Sequence, residues 1–425
     1  AAAGATPTGH TTTVRVKAAD MRFEPATMDV PTGDRLVIEV TNVDHDVHDL
    51  LLETGEDTGR LSPGEHARVD VGVVGRDLDG WCSIVGHRQM GMTLTVHATG
   101  GDTATPSTAP ATHDMSDMSD MSDGDDADEP DATFTPGGEP AADFRARDAH
   151  LPALTRARTH RLTLHVRAVE REVAPGVTQR LWTYDGQAPG PVLHGRVGDR
   201  FVVTLVNDAD MGHSIDFHAG ALAPDRPMRT IAPGERLTYR FTAARAGIWM
   251  YHCSTMPMSV HIANGMFGAV VIEPRHLPRV DESFVVVQSE QYYGPQSGPV
   301  DADKVAAEQP DAVVFNGYAN QYDADPLRVR AGDRVRIWVL DAGPSRSTSF
   351  HVVGGQFDTT WSEGAYLLRR SRHTGSQALA LAPAQGGFVE LRLDQPGHYP
   401  FISHVMVDAE RGAHGVIEVE PGRQR

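Results

Sequence analysis

The chain is expected to be all-β, built from one β-sandwich module used three times. Three observations carry this expectation. Three segments echo one another, Pro31 to Asn42, Arg196 to Asn207 and Arg330 to Asp341. Each opens on a Gly-Asp pair (Gly33-Asp34, Gly198-Asp199, Gly332-Asp333) and then runs through β-branched and apolar residues, as a turn entering a strand does. Each is followed by a histidine (His48, His213, His351) and by Pro63-Gly64-Glu65, Pro233-Gly234-Glu235 or the looser Pro383-Ala384-Gln385 before another strand. Stretches such as Leu162 to Arg167 alternate with period two, which argues against helices. Self-similarity at so long a period implies a repeated module.

Taken in order, residues 1–98 are expected to form the first module, 99–156 a linker, 157–275 the second module and 276–425 the third. The linker is expected to be a flexible tether. Between Asp102 and Asp131 it carries ten acids and no Lys or Arg, too little apolar surface to offset its ordering entropy. Within it Met115, Met118 and Met121 are evenly spaced, with His113 just before them, which reads either as plain linker or as a thioether run able to capture Cu(I).

The formal net charge of −19, about half of it in that linker, argues against nucleic acid or an anionic membrane as partner. No apolar run is long enough to span a bilayer. The opening Ala1 to Gly4 reads as what remains after a signal or anchor is removed. An extracytoplasmic chain, periplasmic or otherwise exported, is therefore expected, with any membrane anchor in the removed segment.

Only two cysteines occur, Cys82 and Cys253, each in its own Cys, His, Met run rather than in a disulfide framework. Cys253, His261 and Met266 offer a thiolate, an imidazole and a thioether, the soft set that suits a copper electron-transfer centre with a weak axial Met. One more imidazole would complete it. The plainer reading is a buried Cys beside a hydrogen-bonded His, with Met as core filler. Consecutive strand side chains point to opposite faces, so His252 should aim away from the metal that Cys253 binds. By the same parity Asp216 and His218 share a face and His213 lies on the other. In the first module, Asn42 to Asp49 and Trp81 to Met92 offer a similar set, without a histidine before Cys82. The third module has no cysteine.

These motifs carry a resemblance. His213-Ser214-Ile215-Asp216-Phe217-His218, Tyr251-His252-Cys253 through Met266, Phe350-His351-Val352-Val353-Gly354-Gly355 and Ser403-His404 resemble those of copper-containing nitrite reductases in the cupredoxin and multicopper oxidase superfamily, over Thr159 to Glu420. Thr11 to Ala98 resembles a fused single-copper cupredoxin.

The resemblance implies three Greek-key, cupredoxin-like β-sandwich domains, assembled as a homotrimer, that reduce nitrite to nitric oxide in denitrification. It implies two type 1 coppers and one type 2 copper per chain. His213, Cys253, His261 and Met266 match type 1 ligands. His218, His252 and, from a neighbouring subunit, His404 match type 2 ligands, while Asp216 and His351 match the groups that deliver protons. In the first module His48, Cys82, His87 and Met92 match a second type 1 set, with His45 and Met90 as rivals, and the module would relay electrons from a donor protein or small reductant that is unknown.

Two departures stand out. The Cys253 to His261 loop is one residue shorter than the family's commonest pattern and carries Met256 and Met258. Val353 replaces the usual isoleucine over the substrate pocket. Two other readings are a laccase-like multicopper oxidase that reduces dioxygen, opposed by the lack of any His-X-His pair, and a non-catalytic copper-handling electron carrier.

Overall fold

Each Gly-Asp turn puts its glycine in the left-handed region, with φ of 93° at Gly33, 90° at Gly198 and 87° at Gly332. A side chain there would strain the backbone. The chain leaves these turns as the strands Arg35–Asn42, Arg200–Asn207 and Arg334–Asp341. The structure is a computed structural model that describes residues 7–19, 22–44, 47–83, 87, 92–99, 131–135, 138–141 and 144–422. The rivals His45 and Met90 and the His113 to Met121 run lie outside the described residues.

The three strands share one pairing pattern. Each runs parallel to an earlier strand, Thr11–Ala19, Thr159–Ala174 or Glu282–Gln291, and antiparallel to a later one, His66–Val73, Arg236–Thr242 or Gly386–Arg392. A second sheet repeats as faithfully. Thr93–Thr99, Phe267–Glu273 and His414–Glu420 each pair parallel with one strand and antiparallel with the strand before them, Leu78–Trp81, Gly247–His252 or Gly397–Ser403. The all-β expectation holds, and the repeat in sequence is a repeat in topology.

The chain divides into two compact units, Ala1–Thr112 and His113–Arg425. In the first, Val16, Leu36, Ile38, Val40, Leu94 and Val96 form a core that includes Cys82 and Met92. In the second, Leu164, Val203, Leu205, Phe217, Phe241 and Tyr251 surround Cys253 and Met266, and a separate core around Phe284, Ile337, Val339, Phe350 and Phe401 holds neither Cys nor Met among the described residues. Alternation explains which residues face inward: along Arg200–Asn207 every second side chain is fully buried.

The linker expectation fails over its second half. Ala132 N–H donates to Gly294 O at 2.9 Å, Leu151 N–H donates to Ser283 O at 2.9 Å, and Ala149 is buried. The Arg147 guanidinium donates to the carbonyls of Pro189 and Gly190. The acidic composition ends near Asp131. Beyond it Phe134, Ala146, Ala149 and Leu151 supply the apolar surface that the first half lacks, and they pack against the second unit's cores.

The second turn of each module also needs positive φ, 84° at Gly64, 78° at Gly234 and 66° at Ala384. A Cβ on Gly234 would meet nothing within 4 Å. Gly234→Ala is therefore expected to cost about 1–2 kcal/mol from backbone strain alone, read as a lower denaturant midpoint with an unchanged slope; an unchanged midpoint would show that the turn tolerates a side chain.

Candidate metal centres

Strand Gly247–His252 ends where two donor sets meet. Its last residue, His252, pairs across the sheet with Asp216 of Asp216–Phe217, so the two side chains share a face. His218, two residues on, joins them. The Nε2 atoms of His218 and His252 converge to 3.0 Å, and Asp216 Oδ2 lies 3.7 Å from His218 Nε2. His252 Nδ1 faces the Cys253 carbonyl at 2.8 Å, which fixes the ring and leaves Nε2 to the cluster.

Cys253 turns to the opposite side, into a cluster with His213 and His261 whose ligand atoms all lie within 4.8 Å of one another. Its Sγ is 3.3 Å from His261 Nδ1. His261 sits on a short helix, Met258–Ala263, where the sequence suggested only a loop. Proline opens this helix and Asn264 closes it, with its Nδ2 donating to Val260 O at 3.0 Å. Met266 is fully buried and closes the loop through Cys253 N–H donating to Met266 O, 3.0 Å, and Met266 N–H donating to His261 O, 3.1 Å.

The first unit repeats this geometry. Cys82 N–H donates to Met92 O at 3.1 Å and Met92 N–H donates to His87 O at 3.0 Å. Cys82 Sγ lies 3.4 Å from His87 Nδ1 and 4.0 Å from His48 Nδ1. Asp44 Oδ2 holds the far nitrogen of His48 at 3.1 Å, the outer carboxylate that orients a ligating imidazole.

These sets fit a soft cation. His213 is fully buried, yet neither ring nitrogen has a hydrogen-bond partner among the described residues, a costly state that a metal between His213, Cys253 and His261 would relieve. Two imidazoles, a thiol sulfur and a nearby buried Met are the donor chemistry of an electron-transfer copper. Burial pushes the His213 imidazole down to about 4 and, with His213 beside it, the His261 imidazole down to about 3. Both rings are therefore neutral near pH 7, as ligands must be. Burial pushes the Cys253 thiol up, against hydrogen bonds from Ser214 and Thr255, so the thiolate is favoured only with a cation present. Burial, then the neighbouring His252, pushes His218 down.

His351 and His404 form a separate group. Their rings lie 5.5 Å apart, and His404 N–H donates to Ser349 O at 2.7 Å. Neither joins Asp216, His218 and His252 within this chain. Val353 is 42% exposed in the same region, with Met406 and Val407 also exposed. Sequence reasoning missed Trp182, which packs on His213 and His261 with ring centroids at 5.7 and 4.8 Å. It also missed the Gln377 carbonyl, which accepts from His351 Nδ1–H at 2.5 Å. Both come from distant strands or loops, and no local motif announces them.

Comparison with known proteins gives a consistent result. Residues 165–277 match the multicopper oxidase family and residues 1–74 the cupredoxin-like domain family. The chain is 36% identical over 283 residues to the copper-containing nitrite reductase of Neisseria gonorrhoeae, covering 63% of this chain and 71% of that protein. It is also similar to the solved copper nitrite reductase of Nitrosomonas europaea, at 32% identity and TM-score 0.57 over 62% of this chain and 94% of that one. A solved multicopper oxidase aligns at 27% identity and TM-score 0.55 over 63% of this chain and 94% of that one.

The depressed imidazoles predict a pH dependence. Their folded values lie below the unfolded value of about 6.5. Their contribution to stability is therefore complete above pH 6.5 and is lost as pH falls through about 4. The melting temperature of metal-free protein should drop across that window, and a flat profile between pH 7 and 4 would contradict the burial of these rings.

Proposed function

The chain belongs to the copper-containing nitrite reductase family and is an oxidoreductase, and from that premise we propose that it reduces nitrite to nitric oxide and water with one electron and two protons. The observation that carries this reading is the pair of donor sets placed back to back on His252 and Cys253. We further propose that the first module, residues 1–98, holds a second electron-transfer copper at His48, Cys82, His87 and Met92 and passes electrons inward. An exported location and an external donor, protein or small reductant, belong to the same reading.

Copper, when bound, would supply a one-electron carrier at His213, Cys253, His261 and Met266, and a Lewis-acid anion site at His218 and His252 completed by His404 of a second copy of the chain. The peptide bond between His252 and Cys253 is the covalent route that links the two. Asp216, across the sheet from His252, stands beside the anion site as the group that passes a proton to the departing oxygen. His351 donates its Nδ1–H to Gln377, which directs Nε2 away from that anchor and towards any group it serves. Because His351 packs on His404, the copy that lends one histidine lends both. A trimer in which each third module meets a neighbour's second module satisfies this requirement, and Val353, Met406 and Val407 supply exposed apolar surface beside His404.

The test is anaerobic turnover of copper-loaded protein with a reduced artificial donor, following nitric oxide, with dioxygen consumption as a parallel control. Asp216→Asn should lower the nitric oxide rate about 10²–10⁴-fold with copper content unchanged; near-normal turnover would remove Asp216 from proton delivery. His252→Ala should lose one copper per chain and keep the visible colour of the Cys253 set. Dioxygen consumption without nitric oxide would favour the oxidase reading that the multicopper oxidase match raises, and silence in both would favour an electron carrier.

A further inference from the structure

The two Cys, His, His sets share a backbone arrangement, and one acceptor beside the cysteine differs between them. In both modules a serine follows the cysteine, and its N–H is held by the residue that follows the first histidine. In the second module that residue is Ser214, whose Oγ accepts from Ser254 N–H at 3.0 Å. In the first it is Asp49. Ser83 N–H donates to Asp49 Oδ1 and Ser83 Oγ–H to Asp49 Oδ2, both at 2.6 Å. Asp49 is only 7% exposed, and accepting at both oxygens is the pattern of an ionised carboxylate. A buried negative charge thus sits one peptide unit from Cys82.

Ser214 does the opposite for Cys253. Its Oγ accepts from Ser254 N–H and from Thr255 Oγ–H, the latter at 3.1 Å. Thr230 Oγ1 lies 2.9 Å from Thr255 Oγ1 and extends the hydroxyl chain outward. The one proton on Ser214 Oγ is left to point at an acceptor, and Cys253 Sγ lies 3.6 Å away, with Ser254 Oγ at 3.2 Å as the competitor. A thiolate carries the larger charge and so draws the donor. Ser214 N–H adds a second contact to the sulfur at 3.4 Å.

We propose that this exchange, Asp49 in one module against Ser214 in the other, lowers the N-terminal centre relative to the second centre in reduction potential. Electrons then move downhill from the first module to the second. The inference rests on the reading that both sets hold copper. Reduction adds one negative charge to a metal–thiolate unit. Hydrogen bonds donated to the sulfur stabilise that charge and a neighbouring carboxylate opposes it. In the transfer, copper of the first module goes from +1 to +2 and copper of the second from +2 to +1. One electron moves, no bond breaks and no proton is needed.

The experiment is an anaerobic spectroelectrochemical titration of the full copper-loaded chain without nitrite. Cys82→Ser and Cys253→Ser forms assign the two coloured centres. In the unsubstituted chain the N-terminal midpoint should be the lower, by about tenfold in the electron-sharing equilibrium, or about 59 mV for one electron. Asp49→Asn, which keeps the shape and removes the charge, should raise the N-terminal midpoint. Ser214→Ala should lower the other. Equal or inverted midpoints overturn the proposal, as does either variant that keeps its colour without moving its midpoint. Should a variant lose copper, the ordering in the unsubstituted chain still decides. Failure to make nitric oxide would leave these midpoints untouched, so failure of the catalytic reading and failure of this one are told apart.

Discussion

One peptide bond organises this molecule, the bond between His252 and Cys253 at the end of strand Gly247–His252. Neighbouring side chains on a strand must face opposite ways, so two adjacent ligand-type residues cannot serve one metal. They can serve two. Every other donor is placed by that division. Asp216 pairs across the sheet with His252, His218 follows at an even spacing on the same side, and His213 falls on the side of Cys253.

The repeated scaffold explains how such a site is supported. The same parallel and antiparallel pairings occur three times, and each module delivers its histidine-bearing segment to the same end of its second sheet. The modules then diverge in what they place there. The first carries a Cys, His, His set alone, the second carries that set and a second one behind it, and the third carries His351 and His404 without a cysteine. The two Cys, His, His sets also keep one hydrogen-bond pattern, Cys N–H to Met O and Met N–H to His O. Strand parity and loop closure account for the geometry, and the side chains beside it tune the chemistry.

Much of this was legible in the sequence because the signals are local. The Gly-Asp turns, the alternation and the spacing of Cys253, His261 and Met266 are short-range patterns, and the even spacing of Asp216 and His218 foretold that those two would meet. What was hidden depends on long-range contact. The helix Met258–Ala263 is one of a few short helices set among strands, and its six residues give too little periodicity to read. Trp182 reaches His213 and His261 from another sheet, and the Gln377 carbonyl meets His351 from a loop 26 residues away. The packed segment beyond Asp131 was masked by averaging its composition with the acidic run before it.

The contact between His252 Nδ1 and the Cys253 carbonyl has a thermodynamic consequence. It ties the ring of one donor set to the main chain of the other, so occupying either set orders atoms that both require. Whatever ordering entropy the first ion removes, the second no longer has to remove. Reciprocity requires any such coupling to be mutual, and this shared peptide is the element through which it would pass.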